Sequence, residues 1–192
     1  MLVKKEEGLK GKMEDLSLHI LDIVENSIRA KAKRIEIKIV EDIKNDLLKI
    51  SIKDDGQGMD EEITKKVLDP FFTTKNVRRI GLGLPLLAQA TKEAKGEFAI
   101  DSKPKTGTNI TATFKYSHID RKPLGNMAET MFTLIVANPE IDFLYEHKKN
   151  SLNYSIDTRR IKTNLDKVSL NSPQVISFLK KDIEEGLKKI NL

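Results

Sequence analysis

Leu48-Lys49-Ile50-Ser51-Ile52-Lys53-Asp54-Asp55-Gly56-Gln57-Gly58-Met59 is the stretch that decides how the chain folds. Its first six residues alternate apolar and polar, the period of a half-buried strand. The strand runs without a break into Asp54-Asp55-Gly56-Gln57-Gly58, where two glycines let backbone approach a ligand at the strand's end. Asp54 there can accept a hydrogen bond from an exocyclic amine; read alone, the same stretch is an ordinary Asp-Gly turn.

Toward the N-terminus, Arg34-Ile35-Glu36-Ile37-Lys38-Ile39 alternates in the same way, and polar residues 41–46 join the two runs into an expected hairpin. Before it, residues 15–29 put Leu16, Leu18, Ile20, Leu21, Ile23, Val24 and Ile28 at helical spacing. That leaves a polar set: His19, Asp22, Glu25, Asn26 and Arg29. Asp22 and Asn26 stand one turn apart on one face, with His19 about one turn before Asp22. A carboxylate can orient or deprotonate a nucleophile, and an amide oxygen suits Mg²⁺, which shares its shell with phosphates and waters. A solvated helix face is the other reading of the same stripe. Glu25 points about 100° away from Asn26 and is the second-choice carboxylate.

Toward the C-terminus, residues 61–68 form an expected short helix ended by Pro70, and residues 73–80 are basic and aperiodic. Gly81-Leu82-Gly83-Leu84 then opens a helix to about Ala94, with Pro85 in its first turn and Gly96 as its stop. Unpaired N–H groups at such a glycine-rich helix start favour an anion; loop punctuation before a core helix is the alternative. Lys75, Arg78 and Arg79, just upstream, can screen a polyphosphate or simply be solvated. The pattern is neither a P-loop nor a full Gly-x-Gly-x-x-Gly fingerprint. Strands over 98–102 and 109–116 follow, separated by the turn formers Lys103-Pro104-Lys105-Thr106-Gly107-Thr108.

The composition shifts after Ser117. Residues 127–136 resemble an apolar helix, and 141–145 and 152–156 flank Lys148-Lys149-Asn150 like a hairpin. The last helix starts at Ser172-Pro173 and puts Val175, Leu179, Ile183, Leu187 and Ile190 on one face. Residues 117–192 therefore read as a small C-terminal α+β extension, whose last helix packs on the rest or supports a homodimer. Residues 1–12 read as a charged tail without chemistry.

Composition narrows the function classes. The 192 residues contain no cysteine, which excludes disulfides, zinc knuckles and a thiol nucleophile. No apolar run approaches the roughly 20 residues that cross a bilayer, and the start lacks a hydrophobic signal core, so a cytoplasmic protein without membrane contact is expected. With 34 basic against 29 acidic residues the net charge is +5. The lysines are dispersed among acids and there is no tryptophan, a pattern unlike a nucleic-acid binder.

Taken in order, these segments resemble the GHKL superfamily of gyrase, Hsp90, histidine kinase and MutL ATPases. Leu21-Asp22-Ile23-Val24-Glu25-Asn26-Ser27 resembles the N box, Asp54-Asp55-Gly56-Gln57-Gly58-Met59 the G1 box, and Asp69-Pro70-Phe71-Phe72-Thr73-Thr74-Lys75 the F box of histidine kinases. Gly81-Leu82-Gly83-Leu84 resembles the G2 box, and Gly107-Thr108 the terminal Gly-Thr element. The resemblance implies a Bergerat fold over residues 13–116: a two-layer α/β (α+β) sandwich with a mixed sheet. It implies ATP and Mg²⁺ as ligands, with Asn26 on the metal, Asp54 on the adenine amine and Thr108 supporting that contact. Gly56, Gly58 and Met59 would line the base and ribose. Gly81, Leu82, Gly83 and Leu84 would cradle the phosphates beneath a lid over 75–80 that carries Lys75, Arg78 and Arg79.

Asp22 occupies the place where gyrase and MutL type ATPases use a general-base Glu and histidine kinases often have Asn, with Glu25 as the second catalytic candidate. Asp is one methylene shorter than Glu, so its reach toward a nucleophile differs. His19 either orients Asp22 or packs locally. Residues 1–12 leave no room for a phosphoacceptor hairpin, so the acceptor is expected on another chain. The expected activity is kinase-like transfer of the ATP γ-phosphate to a partner protein. The alternatives are a nucleotide-switched binding module and a slow gyrase- or MutL-like ATPase.

Overall fold

The computed structural model describes residues 15–68, 83–165 and 168–190. The tail over 1–12, the whole F box and the basic stretch with Gly81 and Leu82 lie outside the described residues. Helix α1 (Leu16–Arg29) begins at Asp15, whose side chain accepts the Leu18 N–H at 3.2 Å, and it buries Leu16, Ile20, Ile23 and Val24. Strands β1 (Arg34–Asp42) and β2 (Leu47–Asp54) follow, paired antiparallel with Ile37 opposite Ile52 and Ile39 opposite Ile50. Helix α2 (Glu61–Lys66) is capped by Asp60, which accepts the Ile63 N–H at 2.7 Å. Then come α3 (Gly83–Glu93), β3 (Phe98–Lys103), β4 (Gly107–Lys115), α4 (Met127–Ala137), β5 (Asp142–Lys149), β6 (Leu152–Asp157), α5 (Thr158–Asn164) and α6 (Pro173–Ile190).

All six strands form one mixed sheet in the order β3-β4-β2-β1-β5-β6. Every pairing is antiparallel except β1 with β5. Alternation sends Ile35, Ile37, Ile39, Leu48, Ile50, Ile52, Ile110, Ala112, Phe114, Phe143 and Tyr145 to one buried face, while Lys38, Lys49 and Lys53 stay exposed on the other. Full burial of each such isoleucine stabilises by about 2 kcal/mol relative to exposure, which locks the strand register. The helices form the second layer: α1 packs on α3 and α4, and α4 on α6. The last helix buries Val175, Leu179, Ile183, Leu187 and Ile190, the face expected from its spacing, against α4, β5 and β6.

Two strands run further than their hydrophobic pattern suggests. β1 extends through Glu41 to Asp42, and β5 continues past Tyr145 to Lys149. Glu41 and His147 bury each other on the inner face: His147 Nε2 and Glu41 Oε1 are 2.8 Å apart, and Tyr145 Oη lies 3.0 Å from His147 Nδ1. A buried polar pair that satisfies itself substitutes for the apolar residues the pattern lacks. Helix α5 was not expected from the sequence. Asp157 caps it by accepting the Arg159 N–H at 3.0 Å, and buried Thr158 accepts the Phe143 N–H at 2.8 Å.

Candidate functional site

At the end of β2, Asp54 is 7% exposed and held from two sides. Ser27 on α1 donates its hydroxyl to Oδ2 at 2.7 Å, and the Gly56 N–H donates to Oδ1 at 2.8 Å. The turn that follows is tied to the end of α1 and the start of β1. Asp55 accepts the N–H groups of Lys33 and Arg34 at 2.7 and 2.8 Å, and the Gln57 N–H donates to the Ala30 carbonyl at 2.9 Å. Gly58 has φ +63, and a Cβ there would lie 1.9 Å from the Lys103 carbonyl oxygen, so no other residue fits. Thr108 stands opposite Asp54 in the β2–β4 register, its hydroxyl 2.8 Å from that of Ser102, which also accepts the Met59 N–H at 2.9 Å.

These elements enclose a mostly apolar cavity of about 240 Å³ between α1, the turn after β2, the start of α3 and β4. Asn26, Asp54, Gly58, Met59, Leu84 and Thr108 all line it. Gly56 sits behind Asp54 instead, where a Cβ would crowd Asp54 Oδ1 and Ala30. Glu25 lies outside the cavity; it is exposed, pairs with Arg29 at 2.9 Å and faces a separate groove between α1 and α4. Lys75, Arg78, Arg79, Gly81 and Leu82 lie outside the described residues. Ser27 and Ser102 escaped the sequence reading. A serine on the apolar stripe of α1, four residues after Ile23, was the available signal for Ser27; Ser102 carried none.

Asn26 lines the cavity from α1, and Asp22 stands one helical turn before it, outside the lining. Asn26 Oδ1 accepts from Arg29 Nη1 at 3.1 Å, while its Nδ2 is buried without a partner. Gly83 begins α3 directly against Asp22: a Cβ on Gly83 would fall 1.8 Å from Asp22 Oδ2. That oxygen is buried and unpartnered. Burial pushes the Asp22 carboxyl above the usual range, a hydrogen bond to the Gly83 backbone opposes the rise, and Glu25 adds to it. His19, 2% exposed, has its imidazole pushed down by burial and by Lys122, against a hydrogen bond to the Gly83 backbone. No hydrogen bond joins His19 to Asp22 among the described residues; each meets Gly83 instead.

The donor set fits a magnesium ion that brings its own ligands. Asn26 presents one amide oxygen, which Arg29 also contacts, one helical turn from Asp22 with its unpartnered Oδ2, and among the described residues no cluster of three or more acidic or histidine side chains forms an all-protein cage.

Fold and cavity together define a two-layer α/β domain whose cavity is lined by a helix, a strand end and the start of a glycine-led helix. The chain belongs to the histidine kinase-, DNA gyrase B- and HSP90-like ATPase family, whose model matches residues 11–118. It is thus an ATP-binding domain of the GHKL type. It is 33% identical over 107 residues to sporulation kinase C of Bacillus subtilis (strain 168), covering 55% of this chain and 25% of that protein. It is 37% identical over 93 residues to the signal transduction histidine-protein kinase AtoS of Escherichia coli (strain K12), covering 48% of this chain and 15% of that one. The chain therefore spans a quarter or less of these relatives. Its fold is similar to the crystal structure of the N-terminal domain of a DNA repair protein, with TM-score 0.55 and 15% identity over 94% of this chain and 57% of that one. None of the described helices is long and apolar enough to cross a membrane.

Proposed function

We propose that this chain binds Mg-ATP in the cavity beside α1 and passes the γ-phosphate to a side chain of a partner protein. Asp54 receives the adenine amine, with Thr108 and Met59 against the base. Asn26 holds the metal, which when bound supplies charge neutralisation along the phosphates. Gly83 and Leu84 turn the backbone of α3 toward the phosphate chain. Asp22 accepts the proton of the attacking nucleophile as the new bond to the γ-phosphorus forms and the bond to the β–γ bridging oxygen breaks, releasing ADP. The observation that carries this reading is the shared cavity of Asn26, Asp54, Leu84 and Thr108, with the unpartnered Asp22 oxygen one helical turn from Asn26. Kinship to sporulation kinase C and AtoS supports transfer to a protein.

A γ-labelled ATP assay tests it, using proteins captured on this chain with a non-hydrolysable ATP analogue. Label on a captured protein, lost with Asp22→Asn, supports transfer. Free phosphate alone, stopped by the same substitution, replaces it with a slow ATPase. That second reading is favoured by the matching family model, which is that of histidine kinase-, DNA gyrase B- and HSP90-like ATPases. A cytoplasmic location fits either reading, and so does a homodimer.

A further inference from the structure

His19 has no part in the reaction as proposed, yet it is one of the most deeply buried polar side chains of the molecule, at 2% exposure. Its Nδ1 has no hydrogen-bond partner, and its other contact is with the backbone of Gly83. Leaving a buried ring nitrogen unsatisfied costs stability, so a leucine there would be the better filler if packing were the whole task. Asp22, one turn further along α1, meets the same glycine so closely that no Cβ fits between them. α1 thus grips the first residue of α3 with two polar side chains. Around them stand Lys122 and Asp15, and the segment leading into α4 is pinned to the start of α1 by the Leu16 N–H donating to the Pro123 carbonyl at 2.9 Å.

We propose that His19 is a positioning residue: through the Gly83 backbone it fixes the first turn of α3 against α1, and so sets the part of the nucleotide site that receives the phosphates. This rests on the ATP site proposed above. The adenine end does not depend on it, because Asp54 is held by Ser27 and by its own turn. Loss of the grip therefore shifts phosphate-dependent affinity and leaves base-dependent affinity alone.

The test compares Mg-ATP and adenosine binding by calorimetry for the wild type, His19→Leu and His19→Gln. With Nδ1 unpartnered, the donor toward Gly83 is Nε2, and the glutamine amide reaches the corresponding position. His19→Leu is expected to weaken Mg-ATP at least tenfold and adenosine less than twofold, and His19→Gln to recover most of the loss. Equal weakening of both ligands, or a glutamine variant no better than leucine, overturns the proposal. Should His19→Leu fail to fold, His19→Phe, which fills the place of the ring without a donor toward Gly83, takes its part, and the same ATP-selective loss is required. A wild type that binds neither ligand at millimolar concentration sinks the nucleotide site itself, a result distinct from failure of the grip.

Discussion

Asp54 and Asp22 are two carboxylates of the proposed nucleotide site, held in opposite ways. Asp54 commits both oxygens, one to Ser27 and one to the Gly56 N–H, and has no freedom to move. Asp22 keeps Oδ2 buried and uncommitted, and burial raises its carboxyl above the usual range. A group that recognises a base gains from immobility, because its partner then meets a fixed acceptor. A group that takes a proton gains from an unfilled oxygen and a pKa drawn toward neutrality.

The largest effect expected from this contrast is at Asp54. Asp54→Ala removes the proposed acceptor for the adenine amine and strands the buried Gly56 N–H, at about 1–3 kcal/mol, while the Ser27 hydroxyl keeps the Ile23 carbonyl as acceptor. The rise in melting temperature produced by Mg-ATP should vanish in differential scanning fluorimetry; a persisting shift would break the assignment. The same site should reject GTP, whose 6-oxo group leaves Asp54 facing another acceptor.

Asp22→Asn should separate binding from chemistry. Nucleotide still raises the melting temperature, while phosphate release or transfer falls by about 10²–10⁴-fold, the usual contribution of a positioned base. Stability should move the other way. Because the folded carboxyl titrates above its ordinary value of 3.8, its contribution is fully present below that pH and is lost as pH rises through the raised pKa. Asparagine carries no such loss, so Asp22→Asn should melt higher than the wild type near pH 7, with the gap closing toward pH 4. A gap that widens on acidification would contradict the burial argument.

Ser27→Ala sharpens the comparison more gently. It frees one Asp54 oxygen, at about 1 kcal/mol, and should weaken ATP binding several-fold in a calorimetric titration. The smallest effect belongs to Glu25→Gln, which removes an exposed pair with Arg29 and should leave turnover unchanged and stability within about 0.5 kcal/mol.

Much of this was legible from residue order. The alternation in β1, β2 and β4 and the stripe of α1 point the right side chains inward, because one buried face demands a period of two or 3.6. The G1 turn was legible because Gly58 must adopt a positive φ. Local pattern could not show that β5 lies parallel to β1 across a long connection, since parallel pairing leaves no turn signature. Nor could it show the Glu41–His147 pair, which makes two polar residues behave as core. Within the site, helical spacing ranks Asp22 above Glu25 by its place one turn from Asn26, but only the approach of α3 shows that one carboxylate is covered and the other left in solvent.

The unbroken hydrogen-bond ladder from β3 to β6 has a mechanical consequence. β1 is an inner strand only because β5 lies against it, so cutting the chain after Ser117 would bare a nine-residue isoleucine-rich margin and the side of α1 that α4 covers. Such a fragment should stick to its own copies edge to edge and sediment as aggregates. The intact protein should instead lose its two halves together, in a single calorimetric peak.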